Sequence, residues 1–128
     1  CVEVREAWSG AEDAIPVRIE AEAVDAGYPD EAYQDCDAGD NGGAYRPDSD
    51  VDIEASNEGG FNIGWMCEGE WLEYSVDVAS PGTYTLRARV ASTPPGSLQA
   101  PFCGTFSHTH SNIRIAGWTM RGSSFSTP

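Results

Sequence analysis

Phe61-Asn62-Ile63-Gly64-Trp65-Met66-Cys67-Glu68-Gly69-Glu70-Trp71-Leu72-Glu73-Tyr74-Ser75-Val76-Asp77-Val78 decides how this chain is read. Two tryptophans flank a Gly-Glu corner, and strict alternation follows. Leu72, Tyr74, Val76 and Val78 fall on one face, and Trp71, Glu73, Ser75 and Asp77 on the other. A period of two over this length predicts a half-buried β-strand. Trp65 precedes the corner and is expected in a loop at the sheet edge. A flat aromatic beside carboxylates and amides suits a sugar ring, which offers a C–H face for stacking and hydroxyls for hydrogen bonds.

Outward from this segment the chain reads as short strands and turns. Val17 to Ala23 alternates, with Val17, Ile19, Ala21 and Ala23 opposite Arg18, Glu20 and Glu22. Val51 to Glu54 is a short strand. Ser80-Pro81-Gly82 is a turn signal that joins the Trp71 strand to Thr83–Ala91, where Tyr84, Leu86, Ala88 and Val90 alternate with Thr85, Arg87 and Arg89. These two strands read as an antiparallel hairpin. Thr93-Pro94-Pro95-Gly96 is a further break. Asp25 to Asp52 is dense in Gly, Asp, Pro and Asn and reads as a long ordered loop, of the kind a function, a metal or a disulfide pins in place. Residues 1–16 read as a linker or edge segment, with one helical turn expected at Ala11 to Ile15.

The 128 residues suffice for one sandwich core but not two, and 14 Gly with 8 Pro suit strands rather than a helical bundle. No apolar run is long enough for a membrane-spanning helix. No signal peptide is visible, and a start at Cys1 fits a mature product or an excised domain. A net charge of −14 opposes nucleic acid and anionic membranes as partners, because a phosphate backbone demands basic side chains. The bland reading of the acidity is solubility in a secreted protein; the sharper one is that some carboxylates hold calcium.

Cys1, Cys36, Cys67 and Cys103 show no Cys-x-x-Cys spacing, which argues against zinc. An even count fits an oxidising compartment. Of three pairings, Cys36–Cys67 is favoured, since both lie in polar loops next to aromatic residues, and Cys1–Cys103 follows by elimination. A loop of about 30 residues closed this way contributes roughly 3 kcal/mol in the chain-entropy model.

A series of short motifs in order then carries a resemblance. Val17-Arg18-Ile19-Glu20-Ala21-Glu22, Asn41-Gly42-Gly43-Ala44-Tyr45-Arg46, Val51-Asp52-Ile53, Gly60-Phe61-Asn62-Ile63-Gly64-Trp65, Gly69-Glu70-Trp71-Leu72-Glu73-Tyr74, Pro81-Gly82-Thr83-Tyr84 and Arg89-Val90-Ala91-Ser92 together resemble a family-6 carbohydrate-binding module. The resemblance is dense to about Ser92 and thins after Pro94, so that 17–128 is read as the module. It implies an all-β fold, a β-sandwich of jelly-roll type, appended to a secreted polysaccharide hydrolase. The Tyr-Arg and Val-Asp-Ile variant is similar to modules found beside β-glucanases. Gly117-Trp118 looks like the family's second sugar-stacking element, approached by a strand through Ile113 and Ile115, while Phe102-Cys103-Gly104 reads as a turn. Ser107-His108-Thr109-His110-Ser111 departs from the pattern. The closing strand, with its sugar-binding Asn and calcium-binding Asp, is expected to be absent or divergent.

The resemblance implies a sugar ring held between Trp65 and Trp118; beside them Tyr45 is read as lining the cleft, and Glu70, close to Trp65 in sequence, as accepting a hydrogen bond from a sugar hydroxyl. For each the alternative is structural: core placement for the tryptophans, sandwich packing for Tyr45, plain solvation for Glu70. Trp71 is read as packing and Trp8 lies outside the resemblance. Glu20 and Glu22 are expected on one side of one strand, about 7 Å apart. They match calcium ligands of the family, with a loop carbonyl near Arg46 as a third, and a solvated acidic edge is the alternative. Calcium is thus the expected structural cofactor. The expected partners are a β-glucan or xylan type polysaccharide and a covalently linked glycoside hydrolase, for an extracellular monomer. Two other classes remain: a protein-interaction sandwich without sugar affinity, and a small glycan-active enzyme using two of Glu68, Glu70 and Glu73. The enzyme reading is the weaker, because glycosidase carboxylates must flank a substrate cleft. His108 and His110 alone are a thin metal signal.

Overall fold

The structure is a computed structural model. It describes residues 6–80 and 82–90, together with the backbone of strand residues 91, 102–103, 111–116 and 124–126. The strands are β1 (Asp13–Ala14), β2 (Tyr33–Gln34), β3 (Ile53–Ala55), β4 (Phe61–Ile63), β5 (Trp71–Asp77), β6 (Arg89–Ala91), β7 (Phe102–Cys103), β8 (Ser111–Ala116) and β9 (Ser124–Ser126). They form two sheets, and among the described residues there is no helix. The all-β expectation therefore holds, and no described helix is long and apolar enough to cross a membrane.

The first sheet is built on β5. One edge of β5 pairs antiparallel with β8 along six residues, from Trp71 opposite Ala116 to Val76 opposite Ser111, and β7 pairs with β8 beyond it. The other edge is closed by three separate pieces of chain. β2 pairs with Trp71 and Leu72, and the Glu73 N–H donates to the Ala32 carbonyl. Asp25 then takes over: its N–H donates to the Glu73 carbonyl at 2.9 Å, and its carboxylate receives the Ser75 N–H. Finally β1 runs parallel to Val76 and Asp77, and the Ile15 N–H donates to the Asp77 carbonyl. Buried backbone groups must find partners, and here a strand edge is satisfied by a mosaic instead of by one neighbouring strand.

This mosaic changes three sequence expectations. Both faces of β5 are buried in its middle, including Glu73 and Ser75, because chain covers the face that alternation alone assigns to solvent. Residues 17–23 are not a ladder strand. Ala21 is buried, but the segment turns, with the Ala23 N–H donating to the Glu20 carbonyl, and is tied down by the Tyr74 hydroxyl donating to the Ala21 carbonyl at 2.7 Å. The Ala11 to Ile15 segment holds strand β1, not a helical turn.

The second sheet has the order β3-β4-β9-β6. Ile53 faces Ile63 across β3 and β4, and β9 lies between β4 and β6. The hairpin expected between the Trp71 strand and Thr83–Ala91 is therefore replaced by a crossover: β5 and β6 belong to different sheets. Phe102-Cys103 forms β7 where a turn is expected. Ile113 and Ile115 lie on β8, as the approach-strand reading has it, and β9 fills a strand position in the C-terminal segment.

The core comprises Ala21, Val24, Ala32, Tyr33, Val51, Ile53, Ile63, Met66, Leu72, Tyr74, Val76 and Val78. Close approach of the long loop to this core requires Gly42, since a Cβ there would stand 2.0 Å from the Ile53 carbonyl oxygen.

Candidate functional site

Trp65 follows β4 and is 44% exposed, with Ile63 two residues before it and Met66 directly after it both fully buried. Its neighbours anchor the chain on both sides, and the Gly64 N–H donates to the Asp52 carbonyl at 2.9 Å. The backbone of Trp65 itself has φ of 48°. A bulky residue in the left-handed region carries strain of about 1 kcal/mol or more, held in place by its surroundings. The ring is thus displayed on a loop, as the sequence reading places it. Trp118, its expected partner, lies outside the described residues, as do His108 and His110.

Tyr45 is half-buried. Its ring stacks on Phe61 of β4 at a centroid distance of 4.9 Å and meets Trp8 edge-on at 6.2 Å. Its hydroxyl accepts a hydrogen bond from Trp8 Nε1 at 3.0 Å. One face of Tyr45 is therefore occupied by packing. Trp8, which the resemblance leaves out, is 43% exposed and lies beneath the Arg46 guanidinium, 3.9 Å from the ring centroid. No local sequence signal links residue 8 to residues 45 and 46. Their contact arises because the N-terminal segment is drawn across the sheet, where the Ala26 N–H donates to the Glu6 carbonyl.

Arg46 is a buried clamp. Its guanidinium donates to the carbonyls of Val24 and Asp25, and desolvation pulls its pKa below the ordinary arginine value. The Arg46 carbonyl, expected as a calcium ligand, accepts the Ser49 N–H and hydroxyl, each at 3.0 Å. Glu20 pairs with Arg18 at 3.0 Å on the surface. Glu22 holds a buried carboxylate oxygen, Oε2, with no hydrogen-bond partner, and burial raises its pKa. The two glutamates thus do not share one face of a strand, which corrects that expectation. Of the expected donors, Glu22 alone offers an orphaned oxygen that fits a cation; Glu20 and the Arg46 carbonyl have other partners.

Glu70 is also corrected. It is only 2% exposed, so it is neither a solvated surface acid nor open to a sugar arriving from solvent. Its Oε2 accepts the Cys67 N–H at 2.9 Å and lies 3.6 Å from the Cys36 sulfur. Burial, then the charges of Asp35, Asp52 and Asp37, push its pKa up to about 8 against the opposing Cys67 hydrogen bond. Cys36 and Cys67 form the favoured disulfide, with Cα atoms 6.3 Å apart. The side chains of Cys1 and Cys103 lie outside the described residues. Glu73 is buried as well, so Glu70 and Glu73 do not flank a substrate cleft.

The disulfide pins the loop expected from Asp25 to Asp52, and carboxylates fold that loop upon itself. Asp40 Oδ1 receives the N–H groups of Gly42, Gly43 and Ile53. Asp50 receives the Gly39 N–H and Asp52 the Asn41 N–H. Aspartates that accept backbone N–H groups are a strong local alternative to ladder bonding, so the loop is ordered without being a sheet.

Two sheets, a disulfide-pinned loop and an aromatic displayed at the end of an internal strand define an all-β binding module. The model of the family described as carbohydrate binding module (family 6) matches residues 42–125, about two thirds of the chain. The chain belongs to this family, whose fold is a β-sandwich and whose modules bind carbohydrate without catalysis. None of the curated proteins compared with the chain matches it.

Proposed function

We propose that the module binds a β-linked polysaccharide of the β-glucan or xylan type and holds a linked glycoside hydrolase against it. The observation that carries the reading is Trp65: a large aromatic, nearly half exposed, presented between two fully buried residues in a strained backbone conformation. Stacking of a sugar ring on such a face contributes on the order of 1 kcal/mol beyond burial, by analogy with aromatic pairs. Trp118 supplies the second face, and Tyr45 the side of the site, through whichever ring edge Phe61 and Trp8 leave free. Glu70 is left out, because its carboxylate is turned inward.

Tethering raises the effective concentration of the hydrolase at its substrate, which is the benefit of a module with no chemistry of its own. The disulfide and acidic surface support an extracellular setting. The chain acts as a monomer in this reading. Calcium at Glu22, with Glu20 released from Arg18, is the structural ion that the family resemblance implies.

The test is isothermal titration calorimetry with β-1,3-gluco-oligosaccharides and xylo-oligosaccharides, in calcium. Binding to either supports the reading, and the preferred sugar sets the specificity. No heat with either, from a folded sample, overturns the β-glucan or xylan assignment. The protein-interaction alternative would need Trp65 buried within the sandwich, and its exposure weighs against that.

A further inference from the structure

Trp65 is held from both sides by bonds that do not involve its own side chain. On the N-terminal side the Gly64 N–H donates to the Asp52 carbonyl at 2.9 Å. On the C-terminal side Cys67 and Glu70 are tied in both directions: the Cys67 N–H donates to Glu70 Oε2 at 2.9 Å, and the Glu70 N–H to the Cys67 carbonyl at 3.4 Å. Gly69, with φ of 91°, lets the chain turn within that span. Cys67 is fixed further by its disulfide to Cys36. The left-handed backbone of Trp65, with φ of 48°, lies between these two anchors. Such a conformation persists only where its surroundings over-determine it, and the Glu70 carboxyl is part of that constraint.

The surroundings of that carboxyl suit its neutral form. Glu70 is 2% exposed, and its Oε1 is buried with no hydrogen-bond partner. Buried polar atoms without partners are rare in folded proteins and call for an explanation. Oε2 lies 3.6 Å from the Cys36 sulfur, which has no hydrogen to donate because it is bonded to Cys67. The disulfide sulfurs do not titrate. The charges acting on Glu70 are those of Asp35, Asp52 and Asp37, all negative and all on the 35–52 loop. A carboxylate in this place is a buried charge next to like charges, which is costly, whereas the neutral acid escapes most of that penalty. Burial, then these aspartates, push the Glu70 carboxyl up to about 8 against the opposing Cys67 hydrogen bond.

We propose that Glu70 is a positioning residue for Trp65: its neutral, buried carboxyl closes the turn that holds the ring on display. The inference rests on the reading of Trp65 as the sugar-stacking ring, and it gives Glu70 no contact with the sugar. The neutral acid accepts the Cys67 N–H and the turn is closed. The carboxylate reaches water only when the turn opens, a local event short of unfolding. The Cys67 anchor is then lost, and the Trp65 backbone relaxes from its left-handed conformation. Because the folded value lies above the ordinary 4.5, the closed turn is complete at acidic pH and is lost as pH rises through about 8. Apparent affinity scales with the fraction of closed turn, so about tenfold is lost between about pH 7 and about pH 9. Asp35, raised only to about 6, is ionised through that range and does not supply the change.

The test pairs two readouts on wild type and Glu70→Gln across that pH range. One is calorimetric titration with β-1,3-gluco-oligosaccharides and xylo-oligosaccharides. The other needs no sugar: fluorine NMR of protein labelled with fluorotryptophan, the Trp65 resonance being the one missing from Trp65→Phe. Wild type should lose about tenfold in affinity from about pH 7 to about pH 9, and its Trp65 resonance should shift over the same range. Glu70→Gln keeps an oxygen for the Cys67 N–H and carries no charge, so it should match wild type at the lower pH and change little at the higher in both readouts. Constant affinity and a constant Trp65 resonance in wild type overturn the proposal. So does the same pH profile in Glu70→Gln, or an affinity that falls while the Trp65 resonance stays still. A Trp65 resonance that follows Glu70 in a protein that binds neither sugar supports the positioning and overturns the sugar reading, which keeps the two failures distinct.

Discussion

Asp25 and Ser75, fifty residues apart, are joined at two points: the Asp25 carboxylate accepts the Ser75 N–H at 2.8 Å and the Ser75 hydroxyl at 2.7 Å. Both residues are buried. The join substitutes for a ladder strand at the centre of β5, where β2 has ended and β1 has not begun. Its removal leaves a buried N–H and hydroxyl unsatisfied beside the Arg46 clamp. Asp25→Ala should therefore destabilise the module by about 3 kcal/mol, and Ser75→Ala, which keeps the backbone bond, by about 1–2 kcal/mol. Urea unfolding midpoints measure both. Equal, small losses would show that the mosaic edge is held by other contacts.

The disulfide closes a separation of 31 residues between Cys36 and Cys67. The chain-entropy model gives roughly 3–4 kcal/mol for a loop of this size. Cys36→Ser combined with Cys67→Ser should lower stability by about that amount, and also loosen the corner that the Glu70 carboxylate closes. Thermal melts of the double variant against wild type check it. A shift of less than a degree or two would mean that the loop's own aspartate hydrogen bonds already restrict the unfolded chain.

The strand β5 was legible because alternation of Leu72, Tyr74, Val76 and Val78 is a local signal. Its partners were not, since a period of two says which side chains share a face and nothing about which strand lies alongside. Hence Thr83–Ala91 reads as the next strand of a hairpin, yet β6 joins the other sheet. The alternation of Val17 to Ala23 misleads for a related reason: Ala21 does reach the core, but through a turn pinned by Tyr74. Trp65 was legible as a displayed loop aromatic from Gly64 before it and the polar corner after it. The meeting of Asp35, Asp37 and Asp52, one oxygen of each within 4.8 Å of the others, was hidden, although Asp35-Cys36-Asp37 and the density of aspartate in the loop were visible, because it depends on a fold-back of the loop held by Asp40 and Asn41. Glu70 read as an acceptor for a sugar hydroxyl, or else as a solvated acid, because a Gly-Glu corner usually faces water; here its carboxylate is buried and turned to the Cys67 N–H.

Raised pKa values at Glu70 and Asp35 should make the fold more stable at mildly acidic than at mildly alkaline pH. In the folded chain, burial and then neighbouring aspartates raise Glu70 to about 8 from an ordinary 4.5, and burial raises Asp35 to about 6 from 3.8. The folded state therefore holds protons that the unfolded state has released. Stability contributed by the protonated carboxyls is complete below the unfolded values and is lost as pH rises through the folded ones. In chelator, the unfolding midpoint should fall from about pH 5 to about pH 8, with the part above pH 6 removed by Glu70→Gln. Urea melts at three pH values, with and without chelator, test it; a midpoint that rises with pH in chelator would contradict this account.

Trp65→Ala separates display from folding. The ring sits outside the core while Ile63 and Met66 carry the packing, so its removal costs little burial, and the strained left-handed backbone is no worse for alanine than for tryptophan. Melting temperature should stay within a few degrees of wild type. Affinity for the preferred oligosaccharide should fall tenfold or more, a loss of about 1.4 kcal/mol or greater. Phe61→Ala makes the matching control: it removes the stacking partner of Tyr45 from within β4, and should lower stability by about 2–4 kcal/mol as a large-to-small change in a partly buried site. Calorimetric titration and thermal melts on the same samples decide between the two effects. Sugar affinity retained in Trp65→Ala would move the binding face away from the β4 end of the sheet and onto another exposed aromatic, with Trp8 beside Tyr45 and Tyr28 as the candidates among the described residues.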